Sequence, residues 1–268
     1  MDISVIVINY RTHDLTSACI ESVIQHTEGL SYEIILVENG TAQFSEADAG
    51  RWDGAVQVVV SDTNLGFAGG NNLGIRSATG KYILLLNSDT YLTGNALLTA
   101  FRYMESHPEA GVMSVRLVYP DGRHQSVAQR FPSVKYSLIE LLRLQKFVGR
   151  KAAGKMLLGA FFDHRETVRA DWVWGAFFMF PAAVLQKMPD HKLDDTYFMY
   201  AEDKQWCMDI GKAGYEVHFC ADTEVVHISG GSSANRSQLI EENEQRFLEK
   251  NFSPFTGACI RWLQRRLA

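Results

Sequence analysis

Four short apolar runs in the first ninety residues, each ending at a polar turn, leave this chain few folds. Ile3–Ile8 is interrupted only by Ser4; Glu33–Val37, Val56–Val60 and Tyr82–Leu86 follow at intervals. An unbroken apolar strand belongs in a sheet covered on both faces, because a half-exposed strand alternates apolar and polar residues. Helix signals lie between the runs. Asp14 is placed to cap a helix to about His26, with Leu15, Cys19 and Val23 at helical spacing. A glycine–asparagine loop at 64–72 leads into a short helix through about Ser77, and Asn95–His107 makes another, stopped by Pro108. Strand Gly111–Val118 and the tight-turn pair Asp121-Gly122 close the series. Repeated β-α-β units imply an α/β fold with a mostly parallel central sheet, helices on both faces and right-handed crossovers.

The second half is less regular. Residues 134–158 carry Lys135, Arg143, Lys146, Arg150, Lys151 and Lys155 against the single acid Glu140, with Leu138, Leu141, Leu142 and Val148 on one expected helical face. A strand over Trp172–Phe180 precedes a short helix opened by Pro181. The aromatic-rich segment Asp194–Tyr200 leads into a helix that begins near Glu202-Asp203 and ends before Gly214. Strands Tyr215–Cys220 and Glu224–Ile228 follow, and Gly230-Gly231-Ser232-Ser233 reads as a mobile loop. Without an internal repeat or a linker, the chain reads as one domain over 1–268. About 1–118 form the regular half, about 119–232 the less regular one, and 233–268 a helical extension.

Bulk properties exclude several classes. The chain has 268 residues, 46% of them hydrophobic, enough for a sizeable core. A net charge of −5 argues against a partner held by bulk attraction to nucleic acid. The four cysteines include no C-x-x-C pair and read as reduced thiols. No basic leader opens the sequence, and the longest uncharged apolar stretch, Trp172 to Leu185, falls short of the ~20 residues of a membrane span. A cytoplasmic protein is expected, with the basic stretch and Arg261-Trp262-Leu263-Gln264-Arg265-Arg266 either solvated or resting on anionic lipid.

Three positions carry candidate chemistry. Asp89, just past the strand Tyr82–Leu86, can hold a hard divalent cation or simply terminate a turn. Glu202-Asp203 can supply a general base behind an aromatic wall, or only complement a helix dipole. His227, ending a strand, can complete a Mg²⁺ or Mn²⁺ shell or can be a packed residue. The glycine–asparagine block can bring backbone and amides close to a phosphorylated nucleotide beyond the strand ends. Familiar alternatives fail on spacing. Ile8 is followed by Asn9-Tyr10-Arg11-Thr12 rather than a dinucleotide glycine motif, and neither a P-loop nor a G-x-S-x-G elbow occurs.

The order Val5-Ile6-Val7-Ile8-Asn9-Tyr10, Val37-Glu38-Asn39-Gly40, Asn64–Asn72, Leu86-Asn87-Ser88-Asp89, Trp174-Gly175-Ala176, Glu202-Asp203 and His227 resembles family 2 glycosyltransferases of the GT-A (nucleotide-diphospho-sugar transferase, Rossmann-like) fold. It is most similar to the rhamnosyltransferase-like branch that builds bacterial surface polysaccharides. The resemblance implies that Asn9, Tyr10, Glu38 and Asn39 line the nucleobase and ribose. Asn64, Gly66, Phe67, Gly69 and Asn72 would shape the nucleotide cradle beside Asn87 and Ser88. It further implies that Asp89 and His227 bind Mg²⁺ or Mn²⁺, Asp203 of the Glu202-Asp203 pair is the catalytic base, and Trp174 and Gly175 border sugar and acceptor. Two positions depart from the family pattern: Glu38 stands where aspartate is usual, and Asn87 replaces the first acid of the D-x-D metal motif.

The implied reaction is inverting transfer from a dTDP- or UDP-sugar to a hydroxyl of a glycan or lipid-linked glycan, with rhamnose the first choice of sugar. A UDP-hexose or UDP-N-acetylhexosamine donor is the alternative within the fold. A nucleotidyltransferase would carry glycines after its first strand, which this chain lacks, and a silent nucleotide- or glycan-binding module would not need to retain Asp89, Asp203 and His227.

Overall fold

The computed structural model describes residues 1–52, 54–229 and 236–267, with residue 236 by its backbone alone. The first half runs β1 (Ile3–Asn9), α1 (His13–His26), β2 (Tyr32–Asn39), β3 (Val56–Ser61), α2 (Gly66–Ile75), β4 (Tyr82–Leu86), β5 (Thr90–Leu92), α3 (Ala96–Ser106) and β6 (Ala110–Val118). The second runs β7 (Ala128–Gln129), α4 (Val134–Leu141), α5 (Arg150–Leu157), β8 (Val168–Ala170), β9 (Trp172–Val173), β10 (Phe177–Pro181), α6 (Glu202–Lys212), β11 (Glu216–His227), α7 (Arg236–Asn251) and α8 (Pro254–Leu267).

The main sheet has the order β3-β2-β1-β4-β10-β6-β11-β5, with β8 paired to β11. β1, β2, β3 and β4 are mutually parallel, as are β6 and β11, while β10 runs antiparallel between β4 and β6. This is the mostly parallel α/β sheet, covered by helices on both faces, that the apolar runs imply. Ile3, Val5, Ile6 and Val7 are fully buried, as are Ile34 to Val37. The carboxyl ends of the parallel strands gather Asn9, Asn39, Asn87 and His227 along one edge. The antiparallel β10 brings its beginning to the same edge, because Phe177 pairs with Leu86.

Several elements differ from the sequence reading, each for a physical reason. The glycine–asparagine block is mostly helix, not loop: Gly66–Ile75 is α2. Glycine is a poor helix former in isolation, but here the missing side chains let the helix lie directly on the sheet. A Cβ on Gly74 would stand 2.6 Å from Ile6 Cγ2 and 3.0 Å from Val37 Cγ2, and one on Gly70 would stand 3.0 Å from Ile8 Cδ1. Thr12, not Asp14, is the N-cap of α1, and Asp14 is exposed in its first turn. The basic stretch is not one helix. α4 ends at Leu141, Arg143 takes a left-handed φ of 53°, and a 3₁₀ turn at Leu144–Phe147 intervenes before α5. Trp172–Phe180 divides into β9, paired with β7, and β10 in the main sheet. The two strands expected over 215–228 are one strand, β11, with an irregularity between Cys220 and Glu224. The glycine–serine loop expected at 230–233 lies outside the described residues.

Helix propensity and packing give opposite signs for Gly74→Ala. Propensity alone favours alanine by about 1 kcal/mol, whereas overfilling a packed contact costs about 1–3 kcal/mol. The 2.6 Å approach to Ile6 decides for packing, so urea denaturation should show Gly74→Ala less stable than the wild type.

Candidate active site

The edge of strand ends is tied together from beneath. Asn9 and Glu38 are fully buried and are bonded to one another, Asn9 Nδ2 donating to Glu38 Oε2 at 2.7 Å. Asn9 Oδ1 accepts from Thr16 Oγ1 at 2.9 Å, fixing the start of α1. Both oxygens of Glu38 accept from the following turn: Thr41 N at 2.8 Å, the Thr41 hydroxyl, and Phe44 N at 3.1 Å. The extra methylene of glutamate thus folds the carboxylate back on its own loop. Asn39 is also buried, accepting from Leu65 N at 2.9 Å and donating to Asn64 Oδ1 and Gly66 O. Three of the expected base-and-ribose residues therefore hold the loops in shape. Tyr10 differs, standing 38% exposed at the site's rim.

α2 joins this edge to the segment that leads into Glu202 and Asp203. Gly66 has φ 72°, and a Cβ there would collide with the carbonyl and ring of Phe198. Phe67 N donates to Phe198 O at 2.8 Å. One turn along, Asn72 makes paired bonds to the backbone of Leu193: its Nδ2 donates to Leu193 O at 2.8 Å, and its Oδ1 accepts from Leu193 N at 3.1 Å. The Phe67 ring lies 6.0 Å from that of Trp206 and within 3.2 Å of where a Gly175 Cβ would stand. Asn64 closes the helix start by accepting from Gly66 N at 2.9 Å. Gly69 is less critical, meeting only Leu65 Cβ at 3.0 Å from its own missing Cβ.

The acids stand at the start of α6 after two consecutive left-handed residues, Tyr200 (φ 69°) and Ala201 (φ 71°). Non-glycine residues persist in that region when their surroundings over-determine it. Here Asn243 of α7 does so, its Nδ2 donating to Met199 O at 2.8 Å and Tyr200 O at 3.2 Å. Its neighbour Glu244 pairs with the buried Lys204 ammonium, which lies 4.6 Å from the Phe247 ring centre and 5.4 Å from that of Trp172. Asp203 is partly open. Its Oδ2 accepts from Gly175 N at 3.0 Å and its Oδ1 from Lys204 N at 2.8 Å. Burial raises the Asp203 carboxyl above its usual range despite these bonds and the Lys204 charge. Glu202 is 6% exposed, and its Oε2 has no partner among the described residues. Burial, reinforced by the charge of Asp203, pushes it well above the usual range. Of the two, Glu202 is the one pushed further up.

Asp89 and His227 meet across the register Thr90–His227 of β5 and β11. His227 Nε2 lies 3.3 Å from Asp89 Oδ1. Burial pushes the Asp89 carboxyl up, but the hydrogen bond and charge of His227, with backbone N–H groups, hold it below the usual carboxylate value. The buried Gln125 fixes the imidazole. Its Nε2 donates to His227 O at 2.7 Å, so its Oε1 accepts the Nδ1–H proton at 2.6 Å. With Nδ1 committed to Gln125, His227 Nε2 is the ring nitrogen left facing the Asp89 carboxylate. Two acceptors at that distance repel unless a proton or cation lies between them, so this pair suits a divalent cation. Ser88 Oγ shares a bond with Thr12 Oγ1 at 3.1 Å, and the Asn87 side-chain oxygen is buried with no partner among the described residues. Asn87 N donates to Ala176 O at 3.0 Å, next to the Gly175 that holds Asp203. Trp174 is half-buried against the core beside them.

One other group among the described residues has metal-like spacing: Glu109, Glu216 and His218. It lies at the opposite edge, where β6 and β11 begin, and already has partners. Arg169 pairs with Glu216 at 2.6 Å, and His218 is bonded to Tyr103 and Glu216.

The first 166 residues contain the decisive match, because residues 4–166 fit the profile described as glycosyl transferase family 2. The chain belongs to that family. Rhamnosyltransferase WbbL of Escherichia coli is 24% identical over 212 residues, covering 75% of this chain and 71% of WbbL. Uncharacterized protein y4gI of Sinorhizobium fredii is 28% identical over 128 residues, covering 45% of this chain and only 14% of y4gI. In fold, the chain matches mannosyltransferase PcManGT of Pyrobaculum calidifontis, solved with GDP-Man and Mn²⁺. The TM-score is 0.64 at 15% identity over 97% of this chain and 69% of that one. Residues 1–349 of S. aureus TarS with UDP-GlcNAc match at TM-score 0.59 and 14% identity, over 99% and 72% of the respective chains. These likenesses establish the GT-A fold.

Gln125, Lys204, Asn243 and Glu244 were not singled out in the sequence. Gln125 lies in an irregular segment with no local signal. A lysine directly behind an acid pair was the one available cue for Lys204.

Glu202 supplies a pH test of the acid pair. In the unfolded chain it ionises near its usual value of 4.5; in the fold it keeps its proton well above that. Between those values the folded protein binds more protons, so stability falls as pH rises through the window. Glu202→Gln removes that loss. It should melt higher than the wild type at pH 8, by ~2–4 °C per kcal/mol recovered, with the two curves converging near pH 4.

Proposed function

We propose that this protein is an inverting, metal-assisted glycosyltransferase that moves a sugar from a nucleotide diphosphate to a hydroxyl of a glycan or lipid-linked glycan in cell-envelope polysaccharide synthesis. One observation carries the reading. Asp89 is linked to Asp203 through a short path of backbone contacts: Asn87 N to Ala176 O, then Gly175 N to Asp203 Oδ2. A cation-binding carboxylate and a carboxylate of raised proton affinity thus border one edge, as transfer from a diphosphate requires.

Asp203 is the general base. Its raised pKa brings it closer to the proton it must remove, while the Gly175 and Lys204 N–H groups fix its orientation. Glu202 stays protonated beside it and keeps a second negative charge from the acceptor. Asp89 and His227 would hold Mg²⁺ or Mn²⁺, with Gln125 orienting the imidazole. When bound, the ion offsets charge developing on the departing diphosphate. Tyr10 offers a stacking surface on the donor side, on loops shaped by Asn9, Glu38, Asn39 and Asn64. Asn87 and Ser88 lie beside the diphosphate, and Trp174 and Gly175 border sugar and acceptor. α2, through Gly66, Phe67, Gly69 and Asn72, keeps donor and catalytic walls in register.

Rhamnose is the proposed sugar. Its support is that WbbL, matched over 71% of its length, is a rhamnosyltransferase. UDP-hexose or UDP-N-acetylhexosamine is the second reading, supported by the likeness to TarS with UDP-GlcNAc.

Asp203→Asn should retain donor binding, read as a thermal shift with nucleotide sugar and Mn²⁺, while turnover falls at least ~100-fold. Near-normal turnover would remove Asp203 from the mechanism. In the same thermal-shift assay, dTDP-rhamnose should stabilise the wild type more than UDP-sugars do; the reverse order overturns the choice of donor.

A further inference from the structure

The broken helix at 134–158 leaves a feature that the transfer chemistry does not use. Between α4 and α5 the chain projects a segment in which apolar and basic residues are interleaved, and nearly all of it is exposed. Phe147 is 86% exposed and Leu142 60%, with Leu144 and Val148 nearly half exposed. A soluble surface does not ordinarily present a phenylalanine this openly next to three other large apolar side chains. α8 packs along α4. It buries Gly257, Ile260 and Leu263, and leaves Phe255 80% and Trp262 55% exposed, seven residues apart and so on one helical face.

The charges single out one kind of partner. Residues 134–158 and 254–267 together hold nine lysines and arginines against the single Glu140, in a chain whose net charge is −5. The rest of the molecule therefore carries thirteen excess negative charges. Lys151 and Lys155 pair with Glu166, and Arg261 with Glu249. Lys135, Arg143, Lys146, Arg150, Arg265 and Arg266 have no ion-pair partner among the described residues. A second copy of this chain fits poorly, because a two-fold interface would set the same basic surface against itself. An anionic bilayer satisfies both chemistries: apolar tips enter the headgroup boundary and unpaired cations meet lipid phosphates.

We propose that the 142–151 projection, with the exposed face of α8, docks the protein on the surface of an anionic phospholipid membrane. α4 begins five residues after β7, whose partner β9 leads directly into Trp174 and Gly175. Docking there brings the proposed acceptor side of the site close to the bilayer, where a lipid-linked glycan would be presented. Only this purpose rests on the proposed glycosyl transfer; the docking itself rests on the surface.

The test is co-sedimentation of the full chain, without donor or acceptor, with vesicles of phosphatidylcholine alone or mixed with phosphatidylglycerol. The wild type should pellet with the mixed vesicles and not with phosphatidylcholine alone. The triple variant Arg143→Glu, Lys146→Glu, Arg150→Glu should bind at least ~100-fold more weakly, from about 1 kcal/mol per lost cation and further repulsion on reversal. Phe147→Ser should weaken binding more than ~10-fold. All four side chains are exposed, so melting temperatures should stay at the wild-type value. Asp203→Asn should pellet like the wild type, which separates docking from catalysis. Equal pelleting with both vesicles, no pelleting, or undiminished binding of the triple variant would overturn the proposal. So would a solution dimer by sedimentation velocity that Phe147→Ser abolishes.

Discussion

The contact of α2 with the segment 193–198 is the interaction on which the rest of the site depends. A helix of ordinary residues could cover the sheet at ordinary distance. α2 instead lies close enough for Gly70 and Gly74 to meet Ile8 and Ile6, and presents its other side to the chain that delivers the acids. Gly66 and Phe67 meet the Phe198 carbonyl, and Asn72 closes a two-bond clasp on Leu193. Each contact needs a small residue or an amide at a fixed place, which accounts for a block of glycines and asparagines inside a helix. The block's glycines thus serve packing between the two halves of the site.

From the other side, α7 completes the support. Asn243 holds the left-handed turn at Tyr200 and Ala201, and Glu244 neutralises the buried Lys204 just behind Asp203. Asp203 is thus fixed by three layers: α2 beneath its approach segment, the β9–β10 connection through Gly175, and α7 above the turn. A turn held from both sides keeps the carboxylate at a set position, and burial outweighs the Lys204 charge behind it, so Asp203 has a raised proton affinity. Asp89 is held differently. Its pKa is lowered, its neighbour is an imidazole fixed by Gln125, and its place follows from the pairing of β5 with β11. Two carboxylates along one edge are thereby shifted in opposite directions by their surroundings.

The sheet was legible because burial on both faces writes itself as unbroken apolar runs. The carboxyl edge was legible because each run stops at polar residues. Asp89, Asp203 and His227 drew notice for the same reason, since they stand at or beside element ends. What was not readable depended on partners far along the chain. That Gly66 opens a helix follows from Phe198, 132 residues later; that Asn9 and Glu38 are consumed by each other follows from strand pairing. Likewise, Arg143 breaks a pattern that periodicity alone extends to 158, and Gln125 acquires its role only when β11 returns beside it.

Hydrogen exchange of the Asn72→Ala variant tests the α2 clasp most directly, because the Leu193 amide donates to the side chain that is removed. Peptides spanning 193–203 should exchange at least ~10-fold faster than in the wild type, the change expected for losing about 1.4 kcal/mol of local stability, while β1 and β4 keep their protection. Unchanged exchange across 193–203 would contradict the claim that α2 holds the acid-bearing segment in place.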